Sequence, residues 1–277
     1  MPAWRALLLA AAVPWVSFSS CACTPAKNYL DPERPRFAGQ FARDPSAFDD
    51  TLTVVSFNIK FAKEIALVIR EFSADARLRQ ADVLLLQEMD SAGVEIIARG
   101  LGYDYVYYPA TRHPQSGKDF GNAVLSKWRI KQDQKILLPY EAPGNKTRRI
   151  AVAARLAVAD REILAASVHT ATFVQGEEKQ LQQAGAVLHQ LAPDDGCVII
   201  GGDFNTLVPG SAEATQSIFA RRGFTHASFG TGATARFCPV GFTLDHIFVR
   251  GMRVVAAGRV HASRASDHVP IWVKVVL

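Results

Sequence analysis

The sequence predicts an α/β domain in which a mixed β-sheet is covered by helices. Continuous apolar runs, typical of strands buried on both faces, alternate along the chain with stretches of helical periodicity. Neighbouring strands joined by short turns also occur, which favours a mixed sheet over a purely parallel, doubly wound one. Composition agrees with a globular domain, because 49% of the 277 residues are hydrophobic and 21% are charged.

The first half of the domain alternates strands with helices. The segment LTVVSFN at 52–58 is rich in β-branched residues and predicts a strand. Apolar residues at positions 61, 65, 68, 69 and 72 share one helical face and predict a helix over 61–72. The apolar run ADVLLLQE at 81–88 predicts a buried strand. The next predicted elements are a helix at 91–102 and strands at 103–109, 122–128 and 130–140, with a polar loop at 111–121.

The second half begins with a predicted hairpin. Strands at 148–158 and 161–170 are separated by two turn residues, and an amphipathic helix at 176–193 follows them. The segment CVIIGGDFN at 197–205 is a buried-strand run that meets two glycines and then a carboxylate. The remaining predicted elements are a helix at 211–223 and strands at 242–250, 253–262 and 266–277.

The N-terminal segment is typical of an export signal. Arg5 precedes an apolar run at 6–16, which as a helix reaches roughly 16 Å and is too short to span a bilayer. We therefore predict a signal peptide at 1–20. The stretch FSSC resembles a bacterial lipoprotein box that ends at Cys21, and the alternatives are attachment at Cys23, ordinary signal cleavage or an uncleaved anchor.

The segment after the signal predicts a tether. Residues 21–50 are rich in proline and charge and lack periodicity, so we expect an N-terminal extension leading into a domain at 51–277. Export would permit a disulfide between Cys197 and Cys238, whose pairing the sequence leaves open. We expect a monomeric lipoprotein on the periplasmic face of a bacterial membrane, or a secreted or periplasmic protein.

Polar residues stand at the ends of the predicted strands. If the last two strands run antiparallel to the others, all of these ends meet at one rim of the sheet. Four strands finish in polar residues and two begin with them: Asn58, Glu88, His169 and Asp203 at the finish, and Asp245 and the pair Asp267-His268 at the start.

The chemistry of these residues favours metal-assisted work on a phosphate. Asparagine and carboxylate oxygens suit a hard cation such as Mg²⁺, while the histidines and a net charge of +5 suit a phosphate-bearing partner. The sequence lacks a Cys/His cluster at zinc spacing, a Gly-x-Ser-x-Gly elbow and a glycine-rich phosphate loop. These absences argue against structural zinc, a serine hydrolase and a P-loop enzyme.

Seven motifs in order resemble a known family. They are SFNIK, LLLQEMD, GNAVLSK, SVHT, GGDFNT, LDHIFV and SDHVPI, between residue 54 and the C-terminus. Together they resemble the endonuclease/exonuclease/phosphatase superfamily, which includes pancreatic-type DNase, exonuclease III and the neutral sphingomyelinases. The resemblance implies a four-layered α/β sandwich of two packed mixed β-sheets flanked by helices.

The resemblance also implies roles for individual residues. Glu88 matches the main metal ligand, with Asn58 beside it and Asp267 assisting, and the expected cation is Mg²⁺ with Mn²⁺ as the alternative. Asp203 matches the residue that orients or deprotonates the attacking water, and Asn205 its partner on the phosphate. The remaining matches are His268 as catalytic histidine, Asp245 as the group that orients it, and His169 as a phosphate contact or leaving-group acid.

Which group is acid, which is base, and how many metals bind stay open. One departure affects His169, because DNase-like members orient this histidine with a carboxylate on the strand after the metal ligand. That strand here reads YDYVYYP, with tyrosines in its place. Two residues have alternative interpretations: Asn122 closes a turn or lines the site, and Arg149 contacts phosphate or is an ordinary surface arginine.

The substrate is the least determined feature. Two loops, 111–121 and 139–148, together with the adjoining Arg149, carry cations that could hold a polyanion, so we expect nucleic acid ahead of a phospholipid or sphingomyelin head group and a small phosphate ester. The cations are Arg112, Lys118, Lys146, Arg148 and Arg149. A non-catalytic phosphate- or lipid-binding module is the alternative from another class of protein.

Overall fold

The computed structural model describes residues 26–43, 48–114, 116–191, 196–237 and 240–277. The predicted signal peptide, Cys21, Cys23 and Cys238 lie outside these residues, so export, lipidation and the disulfide stay predictions. Within the described part of the chain, no helix combines the length and apolar character needed to cross a membrane.

The first sheet has eight strands and is mixed, as predicted. Its strands are β1 (Lys27–Asn28), β2 (Phe37–Gly39), β3 (Thr51–Asn58), β4 (Val83–Met89), β5 (Asp104–Arg112), β6 (Asp119–Ser126), β15 (Arg253–Arg259) and β16 (Ile271–Val276). The spatial order is β1-β5-β6-β4-β3-β16-β15, and β2 also pairs with β5. The central pair β3–β4 is parallel, whereas β16 lies antiparallel to β3.

The second sheet has six strands in the order β11-β14-β10-β9-β8-β7. Its strands are β7 (Arg129–Glu141), β8 (Arg148–Val158), β9 (Arg161–His169), β10 (Cys197–Asp203), β11 (Thr225–His226) and β14 (Asp245–Arg250). The strands β9 and β10 are parallel, and β14 is antiparallel to β10. A separate hairpin is formed by β12 (Ala235–Phe237) and β13 (Val240–Phe242).

In the described part of the chain, five α-helices complete four layers. They are α1 (Ile65–Ala74), α2 (Ala76–Arg79), α3 (Ser91–Leu101), α4 (Glu177–Leu191) and α5 (Ser211–Ala220). One apolar core, which includes Leu85 and Ile199, lies between the two sheets. A second core packs α1, α2 and α3 on the first sheet, and a third packs α4 and α5 on the second. The predicted four-layered sandwich is therefore confirmed.

Local sequence sets the limits of α3, which follows the predicted metal ligand. The side chain of Asp90 caps the helix by accepting a hydrogen bond of 2.7 Å from the backbone N–H of Gly93. Gly102 ends the helix in the left-handed conformation with φ of 75°. These two residues fix the direction in which the chain leaves the end of β4.

The first predicted helix starts later than the apolar pattern suggested. Lys60, Phe61 and Ala62 have positive φ angles of 39°, 59° and 50°, which form a left-handed turn before α1 begins at Ile65. Left-handed backbone is costly for residues other than glycine, so tertiary contacts outweigh helical propensity here. Within the predicted extension, β1 and β2 add to the edge of the first sheet by pairing with β5.

Candidate active site

Three neighbouring strands of the second sheet end in ionisable side chains. His169 lies opposite Asp203 in the parallel pair β9–β10, and Asp203 lies opposite Asp245 in the antiparallel pair β10–β14. Side chains paired across adjacent strands project from the same face, so the three form a row. All three are at most 2% exposed. The structure thus brings these strand ends to one rim, as the sequence predicts.

His268 joins this row from the start of the last strand segment. Its Nδ1 lies 2.8 Å from Asp245 Oδ2, and its Nε2 lies 3.8 Å from Asp203 Oδ2. The hydroxyl of Thr234 donates a 2.6 Å hydrogen bond to the same oxygen of Asp245. Burial alone lowers the pKa of His268, but the two carboxylates outweigh it and raise the pKa to about 10. His268 is therefore a cation with Nδ1–H donated to Asp245.

Asp203 lies at the centre of the cluster. It accepts hydrogen bonds of 2.9 Å from Asn58 Nδ2 and of 2.9 Å from the backbone N–H of Asn205. Burial raises the pKa of Asp203 to about 6, against the opposing effect of cationic His268. A carboxylate with a pKa close to neutrality is suited to accept a proton from water.

The glycines before Asp203 allow close packing beneath it. Gly202 has φ of 153°, and a Cβ atom there would lie 1.8 Å from the carbonyl oxygen of Val168 on the neighbouring strand. A Cβ atom on Gly201 would lie 2.9 Å from Leu85 Cδ1 in the facing sheet. Both glycines therefore set the position of β10 within the sandwich.

Glu88 reaches the cluster through a β-bulge. Between the pairs Leu86–Ala123 and Met89–Gly121 the register of β4 and β6 shifts, so that two residues of β4 oppose one of β6. Glu88 has a positive φ of 58°, and its carboxylate accepts hydrogen bonds of 3.2 Å from Asn58 Nδ2 and 3.1 Å from the backbone N–H of Phe61. Burial raises the pKa of Glu88, although the charge of Arg149 opposes this.

The oxygen ligands around Glu88 fit a hard divalent cation. Glu88 and Asp267 supply carboxylate oxygens, which Mg²⁺ and Mn²⁺ prefer, whereas Asn58 turns its amide nitrogen to Glu88 and its Oδ1 accepts the backbone N–H of Lys60 at 3.1 Å. Asp267 also forms a 3.0 Å ion pair with Lys60, which holds its pKa below the usual value despite burial. A cation bound at Glu88 would compete with Lys60 for this carboxylate.

A second grouping of ligand atoms is less suited to a metal. One atom each from Asp203, Asp245 and His268 lies within 4.8 Å of the others. Histidine binds metals through a deprotonated nitrogen, whereas the raised pKa of His268 keeps both of its nitrogens protonated. The two groupings therefore differ in the ligands they offer, carboxylate oxygens around Glu88 and carboxylate oxygens with a histidine nitrogen here.

His169 has an arginine where the family resemblance implies a carboxylate. Arg149 Nη1 lies 3.2 Å from His169 Nδ1, and the guanidinium also packs 5.1 Å from the ring centre of Phe120. A guanidinium can only donate, so Nδ1 of His169 is the acceptor and Nε2 carries the proton. Burial, followed by the charges of Arg149 and His268, holds the pKa of His169 well below its usual value. His169 is neutral, with Nε2 3.5 Å from Asp203 Oδ2.

Asn122 and Asn205, two further residues predicted for the site, make different contacts. Both amide hydrogens of Asn122 are used across the sandwich, by the carbonyl of Ile150 at 3.0 Å and that of Ser167 at 3.1 Å. None is left for a phosphate, so we remove Asn122 from the phosphate-binding set and describe it as a bridge between the sheets. Asn205 lies at the rim with φ of 52° and donates 3.1 Å to the carbonyl of Thr170.

Comparison with models of known families places this chain in one of them. A model of the Endonuclease/Exonuclease/phosphatase family matches residues 55–268, which span every residue of the cluster. The chain belongs to this family. The match confirms the resemblance drawn from the seven motifs, and the family name covers enzymes that cleave phosphoester bonds.

The relatives found by sequence include UPF0294 proteins from several bacteria. One from Vibrio cholerae is 30% identical over 133 residues, which is 48% of this chain and 47% of the relative. One from Yersinia pseudotuberculosis is 32% identical over 114 residues, 41% of this chain and 43% of the relative. The matched segment thus spans less than half the length of these relatives.

Solved structures with the same fold come from bacteria and from D. rerio. A family protein from Leptotrichia buccalis is 18% identical with a TM-score of 0.64, covering 82% of this chain and 100% of its own. A mannosyl-6-phosphatase from Bacteroides thetaiotaomicron is 20% identical with a TM-score of 0.61, at 82% and 100% coverage. TDP2 of D. rerio, complexed with single-strand DNA product, is 18% identical with a TM-score of 0.65, at 83% and 100% coverage. At these identities the similarity shows the fold alone.

Proposed function

We propose that the protein is a divalent-metal-dependent phosphoesterase that hydrolyses a P–O bond by attack of water. The observation that carries this proposal is the position of Asp203, a buried carboxylate with a pKa near neutrality, between a cationic and a neutral histidine. A protein that only binds phosphate has no need of such a proton-accepting group. A non-catalytic phosphate- or lipid-binding module is the alternative, and measurement of turnover distinguishes the two.

In this proposal the residues of the cluster divide the work of hydrolysis between them. Asp203 orients the attacking water and accepts its proton, and Asn58 holds the carboxylate in place through its 2.9 Å hydrogen bond. Cationic His268, oriented by Asp245, donates a hydrogen bond or proton to phosphate oxygen. Glu88 and Asp267, with Asn58 beside them, would hold a divalent cation, which would supply Lewis acidity and stabilise charge on the leaving oxygen.

His169 and Arg149 form the second half of the phosphate site. Neutral His169 presents Nε2–H, and Arg149 presents the remaining N–H groups of its guanidinium, so both can donate to phosphate oxygens without losing a proton. This geometry supports His169 as a phosphate contact more than as the acid that protonates a leaving group.

The preferred substrate depends on the basic loops, and two of their cations are already paired. Lys118 lies 3.2 Å from Asp90, and Arg148 lies 3.2 Å from Glu141. Pairing reduces the free positive charge available to a polyanion. Nucleic acid, which the sequence favours, therefore has less support from the structure than a phosphoester bound mainly at Arg149. Phospholipid head groups have no specific observation in their favour.

The test separates metal binding from proton transfer. We expect hydrolysis of bis(p-nitrophenyl) phosphate or p-nitrophenyl phosphate with Mg²⁺ or Mn²⁺ and loss of turnover with EDTA. Glu88→Gln lowers metal affinity, so excess metal partly restores its rate. Asp203→Asn removes the base, and its turnover falls by about 10²–10⁴-fold at any metal concentration. Glu162→Gln and Asp160→Asn, both exposed, are the matched controls.

Two results would contradict the proposal. Absence of turnover with every divalent metal would favour the binding module. Rescue of Asp203→Asn by metal, with none for Glu88→Gln, would show that the two carboxylates have the opposite roles.

We further propose that the protein is exported and carries a lipid on Cys21. The support is the charge and apolar run before the FSSC stretch. Replacing Cys21 with serine should move the protein from the membrane fraction to the soluble fraction without changing its turnover. Continued membrane association of that variant would point to Cys23 or to an uncleaved signal.

A further inference from the structure

The first described residues of the chain lie beside the proposed phosphate site. Ala26 donates a backbone hydrogen bond of 2.8 Å to the carbonyl of Asn145, in the loop that joins β7 to β8. The next two residues form β1, in which Asn28 lies opposite Thr111 of β5. This part of the predicted tether is therefore fixed to the domain at two places, the loop and the end of β5.

The side chain of Asn28 connects the two ends of that loop. Its Nδ2 donates a 2.8 Å hydrogen bond to the carbonyl of Lys146, and its Oδ1 accepts a 3.0 Å hydrogen bond from the backbone N–H of Arg148. Nδ2 also lies 3.4 Å from Glu141 Oε1, the oxygen that pairs with the guanidinium of Arg148 at 3.2 Å. One amide group thus contacts the last residue of β7 and the first residue of β8.

Arg149, the second residue of β8, lies where the ladders on both sides of its strand are interrupted. On one side the β7–β8 ladder shifts register, and residues 138–140 of β7 lie opposite Arg149 alone. On the other side the described β8–β9 pairs stop at Ala151. A bulge leaves residues unpaired and disrupts the ladder locally. The position of Arg149 therefore depends strongly on Arg148, the neighbour that Asn28 holds.

The contact between Arg149 and His169 requires an accurate position of this strand end. Nη1 of Arg149 lies 3.2 Å from His169 Nδ1, and the guanidinium packs 5.1 Å from the ring centre of Phe120. A hydrogen bond weakens steeply outside its usual length and angle, so a small displacement of the start of β8 would break it. The N–H groups that Arg149 offers to a phosphate would move with the strand.

We propose that Asn28 is a positioning residue for the phosphate site, because it holds the start of β8 so that Arg149 stays against His169. This inference rests on the proposed function. The N-terminal extension is then a structural component of the site as well as a tether. Asn28 lies outside residues 55–268, the part of the chain that matches the family model, so this support comes from beyond the matched region.

Kinetics of the full-length protein with Mg²⁺ or Mn²⁺ test this role on p-nitrophenyl phosphate and bis(p-nitrophenyl) phosphate. Asn28→Ala removes the hydrogen bonds at the start of β8 and should raise KM by about tenfold on the ester that is hydrolysed, with kcat changed by less than about threefold. The effect falls on KM because an arginine that binds phosphate equally before and during the reaction contributes uniform binding.

The matched control is Arg36→Ala in the same extension. Arg36 forms a 2.6 Å ion pair with Asp133, which lies opposite Ala154 further along β8. This variant loosens the extension without touching the start of β8, so its KM should stay within about twofold of the wild type. An equal rise in KM for Arg36→Ala and Asn28→Ala, or an unchanged KM for Asn28→Ala, would overturn the proposal.

A double-mutant cycle separates positioning from a general loss of structure. If Asn28 acts through Arg149, then Asn28→Ala should change KM by less than about twofold once Arg149 is already replaced by alanine. A tenfold effect that persists in the Arg149→Ala background would show that Asn28 acts on the site by another route and would contradict the proposal.

Nitrogen NMR of His169 provides a readout that does not depend on turnover. In the wild type the proton should lie on Nε2, because Arg149 donates to Nδ1. Asn28→Ala should allow a detectable fraction of rings with the proton on Nδ1, whereas Arg36→Ala should not. A wild-type spectrum for Asn28→Ala would refute the positioning role. Absence of hydrolysis of both esters by the wild type would instead refute the proposed function, and the NMR comparison would still test the role of Asn28.

Discussion

A pair of histidines behind the active site should make the fold sensitive to acid. The hydroxyl of Thr206 donates to the carbonyl of Thr243 at 2.8 Å, so it accepts the 2.8 Å hydrogen bond from His246 Nε2. Nδ1 of His246 is then an acceptor, and His226 Nε2 donates to it at 3.1 Å. This direction of hydrogen bonds requires His246 to be neutral, because its Nδ1 accepts, whereas His226 only donates and is kept neutral by its burial.

The burial of the two histidines determines how acid changes the stability of the fold. It lowers the pKa of His246 to about 3 and that of His226 to about 4. Because these pKa values are depressed, the unfolded chain binds protons first and stability falls as the pH drops below the unfolded value of about 6.5. Between pH 7 and 5, His246 should cost about 2 kcal/mol, and the less buried His226 about 1 kcal/mol after discounting for solvent.

Urea unfolding at pH 7 and pH 5 measures this loss. Asp203, whose pKa is raised in the folded protein, makes the fold more stable as the pH falls and so opposes this loss. Comparison with a variant therefore isolates the contribution of His246. His246→Gln keeps a nitrogen donor for Thr206 but cannot titrate, and it should lose about 2 kcal/mol less than the wild type on acidification. Equal losses for the two proteins would refute a neutral, buried His246.

Two further predictions concern the backbone and the phosphate site. Gly202→Ala places a Cβ atom 1.8 Å from a neighbouring carbonyl oxygen and should lower the free energy of unfolding by about 3 kcal/mol or more. Gly185→Ala, in open space on α4, should raise the free energy of unfolding by about 0.5–1 kcal/mol in the same urea assay. Nitrogen NMR of His169 should show a proton on Nε2 in the wild type and on Nδ1 in Arg149→Glu, because a carboxylate there accepts instead of donating. A wild-type proton on Nδ1 would contradict the tautomer assignment.

Hydrophobic periodicity predicted most of the fold because the buried strands and helices carry strong patterns. The strand predicted at 52–58 extends over Thr51–Asn58, and the hairpin with its turn at 159–160 has the expected partners. Elements missed by the sequence are short or set by tertiary contacts. The left-handed turn at Lys60–Ala62 is an example, since the hydrogen bond from Phe61 to Glu88 cannot be read from local sequence.

The site was predicted best where a residue ends a regular strand. Asp203 and His169 follow the strand pattern directly, whereas Glu88 depends on a bulge whose position the sequence does not indicate. The hairpin pattern in the sequence was enough to place Arg149 at the site. Continuing the register of the hairpin β8–β9 puts it opposite Thr170, at the same rim as His169. The sequence does not indicate the contacts of Asn122, because its hydrogen-bond partners lie on the facing sheet.

The contact of Arg149 with Nδ1 determines what His169 can do. A carboxylate on Nδ1 would favour a charged ring able to give up a proton, and His268 with Asp245 retains that arrangement. Arginine on Nδ1 instead disfavours the charged ring and fixes Nε2–H as a donor. Asp203 therefore faces one histidine that can transfer a proton and one that can only donate a hydrogen bond. Under the proposed function, this asymmetry would give the two sides of a bound phosphate different tasks, proton transfer beside His268 and substrate positioning beside His169.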